Sequence, residues 1–287
     1  METWLIYALL SVVVCGSYNF AMKVVSSRNY NVSIVNRYSY LISAFLWFIY
    51  FLSNYRNYEV WSIKIVILLS FLSSFLFSLS VFSRVKSMKN IDSVIFFPIY
   101  KTIWPIIVTI ISILFFKEAL TPREIIWIII GISVPLLLIT KKEHSIQKNL
   151  FIWLIFVLIT AILTSWVSSV QKIVMNGEYN SPLFVLFVAI FWTLFAYITF
   201  LLNKSNNHTY NEKWVVKFSI LVWTLSFFWF FTFLKALDGW NLAVVYTINS
   251  FSILVPIILS IFFYKEHFNL RKFIVIMMSI ISIILFI

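Results

Sequence analysis

Ten long apolar runs follow one another along the chain, and they set the first limit on its fold. A helix needs about 20 mostly apolar residues to cross a bilayer. The runs lie at roughly 3–25, 32–53, 62–84, 91–116, 122–140, 149–174, 182–203, 214–235, 240–263 and 268–287. The connections between them are too short to hold a soluble domain. The pattern therefore predicts an all-α integral membrane protein with ten transmembrane helices.

Composition and charge argue against other classes. The chain is 62% hydrophobic and 11% charged, whereas a soluble domain is about 25% charged. The net charge is +12, but the basic residues stand singly or in pairs at the ends of apolar runs, where they flank lipid headgroups. We therefore expect no nucleic-acid partner. No metal-ligand spacing, phosphate loop or nucleophile elbow occurs, so we expect no metal, no cofactor and no enzyme activity.

The two halves of the chain repeat each other. The matching segments are KVVSSRNYN at 23–31 with KIVMNGEYN at 172–180, KSMKNIDSV at 86–94 with KALDGWNLA at 235–243, and FFKEALTPR at 115–123 with FYKEHFNLR at 263–271. Three pairs at offsets of 148 or 149 indicate two five-helix units, at 1–145 and 146–287. Because five is odd, the second unit enters the membrane from the opposite side. Such inverted repeats are typical of secondary transporters.

These features resemble the drug/metabolite transporter superfamily, specifically its EamA-type transporters. The matching residues are Lys23, Lys117 and Glu118 followed by Gly131, and Lys265 and Glu266. The resemblance implies the fold and a transport activity but says little about the solute. It also implies cytoplasmic termini, whereas the bias of basic residues, among them Arg84 counted as a loop residue, places the termini outside. Orientation stays open.

Lys101 is the most informative single residue. It lies in FPIYKTIWPII at 97–107, about 14 Å from one end of its span and roughly 22 Å from the other. A lysine stem that deep faces a cavity or a partner, unless the helix end is misjudged and the side chain snorkels to the interface. Pro98 and Pro105 each remove a backbone donor, which predicts a kinked helix that gates access. A plain packing kink is the alternative.

The repeat places a polar mate opposite this lysine. At the offset of 148, Asn249 in VVYTINSFSILVP aligns with Lys101, and Tyr246 aligns with Pro98. Pro256 falls three positions from the mate of Pro105 and is a third gating candidate. The candidate substrate-binding residues are Lys101, Tyr100, Trp104, Asn19, Tyr246, Asn249, Trp166 and Trp192. For Trp166 and Trp192, simple burial is the alternative to substrate stacking.

The leading interpretation is a secondary carrier of a small polar metabolite, with an anionic one favoured by Lys101. Its partners would be that solute and the lipid bilayer, in a multi-pass arrangement in the inner membrane of a prokaryote, and a homodimer is left open. Two alternatives remain. One is a protein that translocates a lipid headgroup or lipid phosphate. The other is a membrane scaffold without transport activity.

Overall fold

The computed structural model describes residues 3–27, 32–54, 63–88, 93–138, 150–177, 179–202, 212–264 and 270–286. Within these residues the chain is helical and has no β-strand. The helices are α1 (Thr3–Ser27), α2 (Val32–Asn54), α3 (Ile63–Met88), α4 (Ser93–Phe115), α5 (Pro122–Ser133), α6 (Leu150–Asn176), α7 (Ser181–Leu202), α8 (Glu212–Gly239), α9 (Leu242–Ser250), α10 (Leu254–Tyr264) and α11 (Leu270–Phe286). The predicted all-helical fold is confirmed.

Seven stretches are long and apolar enough to cross a membrane. They are Thr3–Met22, Ile63–Arg84, Phe96–Phe115, Ile152–Asn176, Ser181–Thr199, Trp214–Asp238 and Leu242–Phe263. Of the three other predicted spans, α5 and α11 have only 12 and 17 helical residues. The third is α2, which is not among the seven. The chain is therefore a multi-pass membrane protein, and its tenfold crossing stays a prediction.

The ninth apolar run is divided within the membrane. Helix α9 passes through a 3-10 turn, Phe251–Ile253, into α10. Proline has no backbone N–H, so Pro256 cannot donate to the carbonyl four residues earlier, which belongs to Ser252. The tighter turn lies at the point where that bond is missing, and sequence periodicity alone did not predict the division.

The helices pair in a pattern that is symmetric between the two halves. Helix α1 packs on α8 just as α6 packs on α3, and α2 packs on α8 just as α7 packs on α3. Helix α4 packs on α6 just as α9 and α10 pack on α1, and the pairs α2 with α7 and α4 with α9 each join corresponding helices of the two halves. A twofold relation between the halves accounts for all of these contacts.

Small side chains bring these helices close together. The Ser70 and Ser74 hydroxyls of α3 donate to the carbonyls of Phe184 and Val188 on α7, at 3.1 and 3.3 Å. Hydroxyls that bond a neighbouring helix are typical of membrane interiors, where small residues let backbones approach. The outer faces instead carry large apolar side chains that suit lipid, such as Leu114 and Phe262.

Candidate functional site

Helix α4 holds Lys101 inside the protein rather than at its edge. The residue is only 4% exposed, although it lies about 12 Å along the helix from Ser93. Its ammonium group donates to the Ser252 hydroxyl at 3.0 Å and lies 4.9 Å from the centre of the Trp104 ring. A snorkelling lysine would reach for the headgroups, so that alternative does not fit this position.

The residue bonded to Lys101 is Ser252 and not Asn249, the mate given by the sequence offset. The two bonded residues share their spacing to a proline. Lys101 lies four residues before Pro105, and Ser252 lies four residues before Pro256. Each is thus the residue whose carbonyl loses its helical N–H partner to a proline. Pro98 and Pro105 both lie within α4, which continues as a helix through both.

Aromatic rings form a wall beside this lysine. Tyr100 stacks on Trp104 with ring centroids 5.5 Å apart, and Trp104 meets the edge of Tyr246 at 4.9 Å. The Tyr246 hydroxyl donates to the Gln171 side-chain oxygen at 3.2 Å. The structure therefore brings together Lys101, Tyr100, Trp104 and Tyr246, four of the predicted substrate-binding residues. The indole nitrogen of Trp104 is buried without a hydrogen-bond partner in the described part of the chain.

Arg84, near the end of α3, is a second cation at this wall. Its Nη2 atom donates to the Tyr100 hydroxyl at 3.4 Å, and the guanidinium carbon lies 5.2 Å from the centre of the Tyr100 ring. Arg84 and Lys101 thus place two positive charges beside the stacked rings of Tyr100 and Trp104. Sequence reasoning missed Arg84 because its position near a helix end made it look like a loop residue. We call Arg84, Tyr100, Lys101, Trp104 and Ser252 the cation cluster.

Two of the predicted amides lie on other helices, Asn249 on α9 and Asn19 on α1. Asn249 is fully buried, its side-chain nitrogen donates to the Ser11 hydroxyl at 3.3 Å, and its side-chain oxygen has no partner among the described residues. Asn19 is half-buried on α1 and contacts the Cys15 sulfur at 3.7 Å. Both predicted amides thus lie inside the bundle, and the free oxygen of Asn249 is available to a donor.

One of the two mid-span tryptophans lies in the protein interior, and the other lies on the outer surface. Trp192 is 9% exposed and contacts Tyr40, Phe77 and Phe230 in the interior. Trp166 is 42% exposed and contacts Phe115 on the outer surface. The interpretation of Trp166 as a substrate partner therefore does not fit its position. In a helix that is apolar all round, sequence alone does not say which face turns inward.

Two charged residues of the repeated segments, Glu118 and Lys172, form hydrogen bonds with the ends of other helices. The Glu118 carboxylate accepts from the Leu242 backbone N–H at the start of α9, at 2.9 Å, and from the Ser112 hydroxyl. Lys172 is 4% exposed, and its ammonium group donates to the carbonyls of Leu237 and Trp240 at 2.9 and 2.6 Å. It also lies 3.8 Å from Glu118. We call these contacts the Glu118 network.

In this network Glu118 caps the start of α9 through the Leu242 N–H. The Lys172 amine binds carbonyls at the end of α8 and lies inside the protein. The Lys265 and Glu266 pair lies outside the described residues, as does the side chain of Lys23.

A cleft of about 220 Å³ lies away from the cation cluster, at the ends of α6 and α8. Its lining residues are Trp47, Tyr50, Val174, Met175, Gly177, Tyr179, Ser181, Val185, Phe231, Leu234, Lys235 and Asp238. Trp47 is in contact with Phe230 at 5.8 Å, Phe230 with Trp192 at 5.4 Å, and Trp192 with Tyr40 at 5.8 Å. A continuous line of rings thus leads from this end cleft toward the interior.

The comparison with protein families matches this architecture. The sequence model of the EamA-like transporter family matches residues 2–140 and, a second time, residues 151–287. The chain belongs to the EamA-like transporter family. The resemblance drawn from the Lys–Glu motifs and the repeat is therefore confirmed, and each half of this EamA-like transporter carries one family unit.

Solved structures support the same fold. One crystal structure superposes on this EamA-like transporter with a TM-score of 0.76, covering 98% of this chain and 94% of that chain at 10% sequence identity. At that identity the likeness concerns the fold alone. No curated protein matches the sequence. Family membership makes the chain a membrane transporter, whose partners are the lipid bilayer and a small-molecule substrate.

Proposed function

We propose that this transporter carries a small anionic metabolite across the inner membrane of a prokaryote by alternating access. In this proposal the chain crosses the membrane ten times, as two five-helix repeats of opposite orientation at residues 1–145 and 146–287. The substrate lies between the repeats, beside the cation cluster. The symmetric pairing of helices supports the opposed repeats, since an inverted duplication produces these reciprocal contacts.

The observation that carries the proposal is the state of Lys101. Its side chain is buried in a membrane-spanning helix, and none of the described carboxylates forms an ion pair with it. A buried ammonium group without a counter-ion is costly, because the hydroxyl and ring that contact it replace only part of its hydration. An anionic solute would supply the missing charge. Lys101 would act as countercharge, and Tyr100, Trp104, Tyr246, Asn249 and Trp192 would shape the site.

The prolines support a gating role for the helices that carry the site. Pro105 and Pro256 leave the carbonyls of Lys101 and Ser252 without their helical donors, directly beside the bonded pair. Bending at these points would move Lys101 and Ser252 relative to each other. The end cleft would then be the access route from one side, closed in this conformation by the rings of Trp47, Phe230 and Trp192.

A two-stage experiment tests this function. Purified protein in detergent is screened for thermal stabilisation by small anions and by matched neutral and cationic metabolites, because a ligand that binds the folded state raises the unfolding temperature. The best stabiliser, radiolabelled, is then offered to proteoliposomes. We expect an anion to stabilise the protein and to accumulate in the vesicles.

Other outcomes of the same experiment separate the alternatives. Binding and scrambling of short-chain phospholipids, without uptake of water-soluble anions, would favour lipid translocation. Stabilisation by no metabolite, together with no uptake, would favour a scaffold and contradict the proposal.

A further inference from the structure

One edge of the Arg84 guanidinium uses only part of its hydrogen-bonding capacity. Its Nε atom is buried and has no hydrogen-bond partner in the described part of the chain. Its Nη2 atom makes one long bond, 3.4 Å, to the Tyr100 hydroxyl. These two atoms form one side of the planar guanidinium fork, which binds both oxygens of a carboxylate through parallel N–H bonds. The guanidinium carbon lies over the Tyr100 ring, 5.2 Å from its centre, and the bond to the Tyr100 hydroxyl holds the same group.

Arg84 and Lys101 lie against different members of one ring stack. Arg84 lies over Tyr100, whereas the Lys101 ammonium lies over Trp104, and the two ring centroids are 5.5 Å apart. Each cation thus lies against its own ring, and the two apolar rings stack on each other. A solute that neutralises both needs two anionic groups separated by a short apolar body. A compact anion would leave one buried cation without a countercharge.

We propose that the substrate is a dicarboxylate, with one carboxylate on the Arg84 fork, the other on Lys101 and its carbon chain against the Tyr100–Trp104 stack. This inference rests on the proposed function and specifies its solute. The free indole N–H of Trp104 provides a further donor to the carboxylate held by Lys101. Arg84 thus determines specificity, because a monocarboxylate would use only one of the two cations.

The test uses full-length protein in proteoliposomes and detergent, with three dicarboxylate probes of increasing length: succinate, glutarate and adipate. Butyrate serves as the monocarboxylate probe and glycerol 3-phosphate as the compact dianion. The variants are Arg84→Gln, which removes charge and fork, and Arg84→Lys, which keeps the charge but not the fork. Arg123→Gln is the matched control, because Arg123 is exposed at the start of α5.

We expect wild-type protein to bind at least one dicarboxylate about tenfold or more tightly than butyrate. The second carboxylate adds a hydrogen bond to a charged group, and such a bond changes the affinity by about this factor. Arg84→Gln should abolish this discrimination, Arg84→Lys should recover part of it, and Arg123→Gln should keep it. An unliganded unfolding temperature within the range of the control variant shows that Arg84→Gln is folded. If it is not, the comparison rests on wild type and Arg84→Lys.

Three results would overturn the assignment or a part of it. Wild-type uptake of butyrate or glycerol 3-phosphate in preference to every dicarboxylate would reject the dicarboxylate and leave the anion carrier intact. If Arg84→Gln and Arg84→Lys both prefer the dicarboxylate over butyrate as strongly as wild type does, the role of Arg84 is rejected, but the dicarboxylate substrate is not. Absence of binding and uptake for all five probes also rejects the dicarboxylate, while the broader anion screen decides separately on the proposed function.

Discussion

At the scale of single residues, the central feature is the buried ammonium group of Lys101. Within the described part of the chain it contacts one hydroxyl and one indole ring. A lysine in the membrane interior is costly, and evolution retains it where it has a functional partner. The Ser252 hydroxyl comes from the other half of the chain, so this one bond connects the two repeats at the proposed binding site.

Replacing Ser252 by alanine tests that bond. A hydrogen bond to a charged group contributes about 1.5–3 kcal/mol, so Ser252→Ala should raise the KM for the transported anion about tenfold. Substrate-concentration curves in proteoliposomes give this value. Ser279→Ala is the control, because the buried Ser279 hydroxyl bonds the Val275 carbonyl of its own helix and, among the described residues, no other helix. An equal KM for both variants would show that Ser252 does not position Lys101.

Several of these residues could be predicted from the sequence, and others could not. Lys101 was identifiable because a charge is rare in an apolar run, and Tyr100, Trp104, Tyr246 and Asn249 followed from its surroundings and the repeat. Arg84 was missed because a basic residue near a helix end usually flanks lipid. Ser252 was missed because the offset of 148 points to Asn249, whereas the bonded residue lies three positions further along, four residues before Pro256.

At the scale of helices, the prolines determine where a backbone hydrogen bond is lost, and the glycines determine how closely two helices pack. Pro256 and Pro105 each remove one helical hydrogen bond. A 3-10 turn precedes α10 in the second half, whereas α4 continues as a helix in the first half. Sequence periodicity located both helices but not this difference, since proline shows where a bond is lost and not how the chain accommodates it.

The proline Pro256 allows a test of gating. Alanine in its place restores an N–H that can bond the Ser252 carbonyl, so Pro256→Ala should straighten the turn. We expect a higher unfolding temperature together with a turnover roughly tenfold lower, since transport depends on this movement. Pro122→Ala is the control, because proline at the first position of a helix replaces no helical bond. Faster or unchanged turnover in Pro256→Ala would contradict gating at this helix.

Gly16 on α1 is where helix packing leaves the least room. A methyl group there would lie 2.6 Å from the Ser252 carbonyl oxygen and 2.4 Å from the Val255 Cβ. Gly16→Ala should therefore lower the free energy of unfolding by about 1–3 kcal/mol and weaken transport by displacing Ser252. Thermal unfolding in detergent measures the first effect.

Gly131→Ala provides the comparison for this substitution. The added methyl group would meet the Thr247 methyl at 2.7 Å and the Phe251 ring at 3.1 Å, which are side-chain atoms. Side chains can rotate away more easily than a backbone carbonyl, so we expect a smaller loss of stability. A larger loss in Gly131→Ala than in Gly16→Ala would contradict the close contact of α1 with the turn at Ser252.

At the scale of the whole molecule, the two family units and their reciprocal helix contacts form one symmetric arrangement. The repeat in the sequence predicted the two units, because its three segment pairs share nearly one offset. It could not predict which helices pair, since that depends on side-chain shape across the halves. The Glu118 network fixes the ends of α8 and α9 on one side of this arrangement.

The most direct test of this account is transport by Lys101→Met in proteoliposomes, with Lys217→Met as its matched control. Both lysines lie over a tryptophan ring, at 4.9 Å for Lys101 and 5.0 Å for Lys217, but Lys217 is exposed. We expect Lys101→Met to fold and to reduce uptake of the stabilising anion to the level of empty vesicles, while Lys217→Met transports like wild type. Uptake by Lys101→Met at the wild-type rate would contradict the central claim that this buried charge binds the substrate.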